Sequence, residues 1–391
     1  MNVFNYGGIK TVQGAYAVKE LGSEVKRLKG NKVLLVTDQG ICAAGQIAKA
    51  EESLKKAGID WIIYDKIQTD PKDIMVEEAL ELIRTEKCNL VVGFGGGSSM
   101  DVAKSASVMM TNEGHIMEYT RINPNRKSFQ NRRIPLILVP TTSGTGSEFS
   151  PFAVITNTAI NRKSNVTCEY FYPDTVILDP DLAVTMTKQM TVSSGFDALA
   201  HTMDGVTAKA NIENPNPYVD LLGYESMRRV YGSLQEAVEH PENIEARWNV
   251  MLGANMAGAI LSSGTGATHG LANMLSKYYH VPHGESVGML LPYVMEYNIP
   301  ACPERFAKMA EMLGVRKADM TEEEAAKEAV KAVKVLMKAV QLPGMSDYIK
   351  DEKEIYQFLE ESLDNSCNYA NAREITREAA EWIFISAYRG E

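Results

Sequence analysis

Leu90-Val-Val92 runs without a break into Gly93-Phe-Gly-Gly-Gly97-Ser98. A short apolar run that opens onto bare glycines reads as a strand ending in a tight turn, and few architectures accommodate it. The first half of the chain supplies matching pieces. Val33–Val36, Trp61–Tyr64 and Pro135–Val139 read as further strands. Helical patterns lie between them: one runs from about Gly40 to Ala57 and stops at Gly58, one covers roughly Met75 to Glu86, and one starts near Asp101. Strands alternating with helices predict βαβ units and a mostly parallel sheet.

From about Asp181 methionine, alanine and glutamate become frequent and helical periods dominate. Thr321-Glu-Glu-Glu324 fits a capping box, Val330, Val333, Met337 and Val340 line one face behind it, and Pro343-Gly344 ends the helix. A chain of 391 residues has room for two domains. We place the boundary near residue 182, with an α/β domain over residues 1–182 and an all-helical domain over 183–391.

Composition removes some function classes. The net charge of −10 argues against a nucleic-acid binder. The densest basic stretch, Arg121 to Arg133 with Arg126, Lys127 and Arg132, reads as a solvated loop whose field would also attract an anionic cofactor or substrate. The five cysteines are odd in number, far apart and without a C-x-x-C pair, so neither a disulfide framework nor a cysteine zinc site is expected. The first residues show no signal-peptide pattern, and no apolar run approaches the roughly 20 residues of a membrane span. A reducing, cytoplasmic setting is the expectation.

Two segments are suited to phosphate. Gly95, Gly96, Gly97 and Ser98 lie between a strand and a helix, where the backbone is bare and the helix amino terminus offers N–H groups. The same glycines would serve a tight turn without any ligand. The segment lacks the Gly-Lys-Ser/Thr ending of a P-loop. It also fails the Rossmann pattern, because Ser98 replaces the third glycine and the best acidic candidate, Asp38, precedes the glycines rather than following by about 20 positions. The second segment, Pro140-Thr-Thr-Ser-Gly-Thr-Gly-Ser147, follows another strand. Two such segments at strand carboxyl ends are where an open α/β sheet binds ligands, which points to a dinucleotide.

Histidine is scarce, six in all, and His201, His269, His280 and His283 lie in the second half. Asp197 and His201 are four apart and share a helix face. Asp197, His201, His269 and His283 form a mixed oxygen and nitrogen set that suits zinc or ferrous iron. A lone histidine is more often a satisfied core residue, but the concentration here is unusual. A divalent metal of this kind polarises an alcohol or aldehyde oxygen, and a nicotinamide accepts or returns the hydride.

These residues resemble those of the iron-containing (group III) alcohol dehydrogenases, which include lactaldehyde reductase and propanediol dehydrogenase. The carriers are Gly95-Gly-Gly-Ser-x-x-Asp101-x-x-Lys104, Pro140-Thr-Thr-x-Gly-Thr-Gly-Ser-Glu148, Gly195-x-Asp197-Ala-Leu-x-His201, Ala257-Gly258 and Pro282-His283-Gly284, and they span essentially the whole chain. The resemblance implies a dinucleotide-binding domain followed by an all-helical metal-binding domain, a dehydroquinate synthase-like architecture with a cleft between the two. It implies Asp197, His201, His269 and His283 as ligands of one metal, usually Fe2+ with Zn2+ as a replacement. Gly95, Gly96, Gly97 and Ser98 would hold the pyrophosphate of NAD, and Asp101 follows them in the motif. Thr141, Thr142, Ser143, Thr145 and Ser147 would form a wall of the cofactor site, with Lys163 near the nicotinamide ribose. Asp38 matches the position that selects NAD, and a carboxylate there repels the extra phosphate of NADP. A homodimer or higher homo-oligomer is expected.

The chain departs from the family pattern in places. Asn273 stands where many members carry a histidine near the reacting groups, and asparagine cannot titrate near neutral pH. His280 is a candidate substitute, so the catalytic set comprises His269, His283, His280 and Asn273. Asp204 replaces a glutamate, Thr187 a proline, and Asn371-Ala372-Arg373 an Asn-Pro-Arg pattern; we read these three as matters of packing. Asn273 and Lys277 suggest a polar or anionic substrate, such as a hydroxy- or sulfo-aldehyde. Two other readings share the features: a glycerol dehydrogenase- or dehydroquinate synthase-like enzyme, and a non-catalytic scaffold or filament protein.

Overall fold

The computed structural model describes residues 8–391, which form two compact units. One holds residues 8–142 together with 146–185; the other holds Ser143–Thr145 with Met186–Glu391. In the first unit the strands are β1 (Lys10–Gln13), β2 (Lys32–Val36), β3 (Asp60–Tyr64), β4 (Leu90–Gly95), β5 (Leu136–Pro140), β6 (Phe152–Asn157), β7 (Arg162–Thr167) and β8 (Thr175–Leu178). Its helices are α1 (Leu21–Arg27), α2 (Gln39–Ala43), α3 (Ile47–Ala57), α4 (Asp73–Thr85) and α5 (Gly97–Met109).

Six strands make one parallel sheet in the order β1-β8-β5-β4-β2-β3. Every residue of β4 and β5 is buried, as a parallel sheet covered on both faces requires. Register decides what happens at the carboxyl edge. Val36 pairs with Gly93, and Gly95 pairs with Pro140. The segments that begin at Thr37, Gly96 and Thr141 therefore leave adjacent strands at the same edge. This order also explains why the acidic residue precedes the glycines: β2 lies beside β4 in space.

Several local expectations need correction. The single helix expected up to Ala57 is two helices, because Gly45 takes a left-handed φ of 71° between them. The left-handed cap at Gly58 is present, with φ 67°. The helix expected to start near Asp101 starts at Gly97, with Gly95 ending β4 and Gly96 as the N-cap residue. The antiparallel β6–β7 hairpin, the edge strand β1 and the internal strand β8 are additions to the strands expected from the sequence. The basic stretch is not wholly solvated: Arg133 is buried, its Nη1 2.5 Å from Asp174 Oδ2.

The second unit is helical: α6 (Lys188–Val206), α7 (Lys209–Glu213), α8 (Pro217–Glu239), α9 (Ile244–Ile260), α10 (Ala267–Tyr279), α11 (His283–Asn298), α12 (Pro303–Met312), α13 (Glu322–Ala339), α14 (Met345–Tyr348), α15 (Leu359–Leu363) and α16 (Arg377–Arg389). One apolar core built from Phe196, Leu199, Val230, Leu271, Leu290 and Phe306 joins them. The Thr321–Glu324 capping box opens α13, with Thr321 N donating to Glu324 Oε2 at 2.9 Å. That helix ends at Ala339, four residues before Pro343, and Gln341 takes a left-handed φ of 60° beyond it. No helix among the described residues is long and apolar enough to cross a membrane, and the five cysteines are free thiols.

The hairpin is fastened to α5 by a buried polar cluster. Asp101 Oδ1 accepts from Ser147 Oγ at 2.6 Å, and Asp101 Oδ2 accepts from Val154 N at 2.9 Å. Lys104, fully buried, donates to Ser147 Oγ at 2.7 Å and to the Phe152 carbonyl at 2.8 Å. Burial pushes the Lys104 ammonium down to about 8, against the pull of the Asp101 and Glu148 carboxylates. Burial likewise raises Asp101 above its ordinary range, Lys104 opposing it. Removing one member of a buried ion pair strands the other. We expect Lys104→Met to lower the unfolding free energy by about 3 kcal/mol in urea titrations. Adding Asp101→Asn to it should recover part of that loss; strictly additive costs would contradict the coupling.

Candidate metal centre and cofactor loops

Helix α6 carries the first two metal-type residues. Thr187 caps its amino terminus by accepting from Met190 N at 3.2 Å, which a proline side chain could not do. Asp197 and His201 then sit one turn apart on a buried face. His269 lies near the start of α10, and His283 is the first residue of α11. The close seating of α11 on α6 needs Gly284: a Cβ there would stand 1.9 Å from the Ser193 carbonyl oxygen.

These residues converge. The Nε2 atoms of His201, His269 and His283 lie 3.7, 3.6 and 3.6 Å from Asp197 Oδ1. The ligand atoms of Asp197, His269 and His283 all fall within 4.8 Å of one another, and His201 joins them through Asp197. The His201 and His269 rings stack at 4.5 Å. Such separations are too long for hydrogen bonds. Two ligands bound tetrahedrally at about 2.1 Å to one ion stand about 3.4 Å apart, close to what is seen. Asp197 Oδ1 and His269 Nε2 are buried without hydrogen-bond partners among the described residues. Buried orphans facing one point suit a shared cation, and the imidazole and carboxylate donors suit zinc or ferrous iron.

The charges of the cluster shift one another. Burial alone would raise Asp197, but His201, His269 and His283 hold it well below the usual carboxylate range. Burial disfavours a charged His269, yet the Asp197 and Asp204 carboxylates on either side push it up to about 10. His201 is lowered, chiefly by burial. His283 is the most exposed member of the set, with its side chain 40% exposed.

Asp204 belongs to this centre, which corrects its reading as a matter of packing. Its Oδ2 lies 2.8 Å from His269 Nδ1, and its Oδ1 accepts from Thr268 Oγ1 at 2.8 Å. The available signal is its spacing, seven residues after Asp197 and hence on the same face of α6. Asn371 likewise does more than pack. Its Oδ1 accepts from Ala267 N at 3.2 Å, capping α10 from a distant part of the chain.

Other expected residues lie elsewhere. His280 is exposed at the left-handed carboxyl cap of α10, and nothing among the described residues joins it to the cluster. Asn273 is half-buried, one helical turn past His269. Lys277 is exposed and engaged in an ion pair with Glu361.

In the α/β unit, Gly95 takes a φ of 153°, and a Cβ there would meet Ser99 Oγ at 2.6 Å. Gly96, Gly97 and Ser98 are half-exposed at the start of α5, whose first N–H groups receive no side-chain cap. Thr142 flanks them, its Oγ1 3.6 Å from the position of a Gly96 Cβ. Asp38 Oδ1 caps α2 by accepting from Ile41 N at 3.0 Å, while Oδ2 lies 3.6 Å from a Gly95 Cβ position. Thr141 Oγ1 is buried without a hydrogen-bond partner. Ser143 and Thr145 group with the helical unit, where Ser143 Oγ is likewise buried and unpartnered. Asp101 and Ser147 are committed to the Lys104 cluster, and Lys163 Nζ lies 2.7 Å from Asp70 Oδ1.

Comparison with known proteins gives the same answer along the whole chain. The family described as iron-containing alcohol dehydrogenase matches residues 9–180, and the Fe-containing alcohol dehydrogenase family, C-terminal, matches residues 191–388. Choline dehydrogenase of Bacillus subtilis (strain 168) is 35% identical over 387 residues, 98% of this chain and 95% of that protein. Sulfoacetaldehyde reductase of Bilophila wadsworthia (strain 3_1_6) is 34% identical over 314 residues, 80% of this chain and 79% of that protein. A crystal structure of 1,3-propanediol oxidoreductase superposes with a TM-score of 0.92 at 30% identity, covering 99% of this chain and 100% of that one.

Gly284→Ala should displace the start of α11 from Ser193 and carry His283 away from Asp197. We expect a loss of about 2 kcal/mol in stability, as for other overpacked sites. Weaker uptake of divalent metal should accompany it, measured by chelator competition; unchanged uptake would show that His283 does not depend on this contact.

Proposed function

We propose, because the chain belongs to the iron-containing alcohol dehydrogenase family, that it transfers a hydride between NAD(H) and a small primary alcohol or aldehyde with the help of one divalent metal. It is an oxidoreductase of the alcohol dehydrogenase type. The observation that carries the metal reading is the meeting of three imidazole Nε2 atoms 3.6–3.7 Å from a buried, unpartnered Asp197 Oδ1.

Asp197, His201, His269 and His283 would hold the ion, iron or zinc. When bound, it would act as a Lewis acid on the substrate oxygen and ease loss of the hydroxyl proton. The rest falls to the chain. The half-exposed N–H groups at Gly96, Gly97 and Ser98 receive the pyrophosphate. Asp38 Oδ2 accepts from ribose hydroxyls, and its charge disfavours a 2′-phosphate. Oxidation removes a hydride to the nicotinamide and a proton from the alcohol, leaving the aldehyde, NADH and H+. Asn273 can hold a hydroxyl by hydrogen bonds but cannot take the proton, so the proton leaves through solvent or another carrier.

The substrate class is small and polar. The named relatives range from choline to sulfoacetaldehyde, which supports a short alcohol or aldehyde bearing a polar group. Lys277 is paired with Glu361 at the surface, and an exposed pair of this kind exchanges readily for another anion.

Metal analysis of the purified protein together with NADH-dependent reduction of a panel of short aldehydes tests the proposal. Asp197→Ala should lose both metal and turnover. The kcat/KM for NADH should exceed that for NADPH at least about tenfold, the size of one misplaced charge interaction. Asp38→Ser keeps an α2 cap while removing the charge, so it should narrow that ratio without a large change in stability. A native preference for NADPH would defeat the role given to Asp38.

A further inference from the structure

The metal-type cluster has a supporting residue that none of the sequence motifs assigns. We propose that Asp204 is a positioning residue that locks His269 in its Nδ1–H tautomer and turns Nε2 toward Asp197. The proposal rests on the metal reading above and adds the means by which one ligand is oriented.

Three observations carry it. First, Asp204 sits on α6, the helix that also bears Asp197 and His201, and its spacing of seven from Asp197 puts all three on one face. Ligands and support thus belong to one rigid element. Second, both carboxylate oxygens are engaged in a buried setting. Oδ2 meets His269 Nδ1 at 2.8 Å, and Oδ1 accepts from Thr268 Oγ1 at 2.8 Å. The carboxylate accepts at Oδ1 from Thr268, and acceptance at Oδ2 from Nδ1–H completes it, leaving Nε2 as the nitrogen for a ligand bond. Thr268 keeps the carboxylate from rotating away. Third, the start of α10 is shaped to admit this carboxylate. A Cβ on Gly266 would come within 3.0 Å of Asp204 Oδ1 and of Asn371 Oδ1. Gly266 supplies no side-chain cap, and Asn371 Oδ1 takes the Ala267 N–H instead. Asn371 is itself held by Asn298, each amide donating to the other at 2.8–2.9 Å. Asn371 therefore sets where α10 begins, and Asp204 sets how the His269 ring is turned.

An asparagine at position 204 keeps the shape but can present an N–H to Nδ1, which would select the opposite tautomer and put a proton on Nε2. The full-length protein loaded with Co2+ provides the test. In the wild type, proton NMR should show a paramagnetically shifted, slowly exchanging N–H signal from His269. Asp204→Asn should lose that signal or bring it into fast exchange. Its Co2+ affinity, measured by chelator competition, should fall about 10–100-fold, the usual cost of removing a hydrogen-bond partner behind a metal ligand. Asp204→Ala should behave alike if it folds. Asn371→Ala is the control for a purely structural effect: it should lower the melting temperature of the metal-free protein while the signal persists. Asp204→Asn with Co2+ affinity within about twofold of wild type and the slow signal intact would overturn the proposal. If the wild type takes up Co2+ but not at these histidines, or none at all, the metal reading fails and this inference falls with it.

Discussion

Asp197 is a buried carboxylate whose Oδ1 has three imidazole nitrogens 3.6–3.7 Å away and no hydrogen-bond partner among the described residues. Removing a charge from water is costly unless an opposite charge replaces the lost hydration. The local architecture results from supplying that charge at one point. Helix α6 brings Asp197, His201 and Asp204 on one face, and Thr187 secures its first turn. Helix α10 brings His269 with its start held by Asn371, and Gly284 lets α11 approach closely enough for His283 to join. Each contact has an individual purpose only because the four ligand-type atoms must meet.

The α/β unit obeys a different constraint. Parallel strands point their carboxyl ends the same way, so the segments leaving β2, β4 and β5 collect at one edge. Asp38, the Gly95–Ser98 turn and Thr141–Thr142 leave neighbouring strands there. A carboxylate, a bare helix amino terminus and buried hydroxyls with unused hydrogen-bonding capacity form a set of complementary chemistry. A dinucleotide, with ribose hydroxyls next to phosphates, answers to it.

Features with a short period or a strong local chemistry are legible in the sequence. The central strands are apolar runs, Gly58 announces its cap, and the four-residue spacing of Asp197 and His201 gives a shared helix face. Features made through space are not. The β6–β7 hairpin mixes polar and apolar residues, and its tie to the fully buried Lys104 runs through the Phe152 carbonyl, which no residue type announces. The role of Asn371 at the start of α10 depends on a contact across 104 positions of the chain. Asp204 has a readable spacing, but nothing along the chain says that its carboxylate meets His269 Nδ1. The break before α3 turns on one glycine choosing a left-handed conformation, which competing helical patterns on both sides conceal.

The tie between Asp101, Lys104 and Ser147 has a thermodynamic consequence. Asp101 lies one turn into α5, which opens at the half-exposed Gly97 and Ser98, and Ser147 ends the hydroxyl-rich segment after β5. The glycine turn and the far end of that segment are thereby joined from beneath. Much of their conformational entropy is surrendered when the chain folds, not when a ligand arrives. A dinucleotide settling on such a surface would leave the backbone nearly as ordered as it found it, so its affinity would depend on the contacts it makes and little on disorder it must suppress.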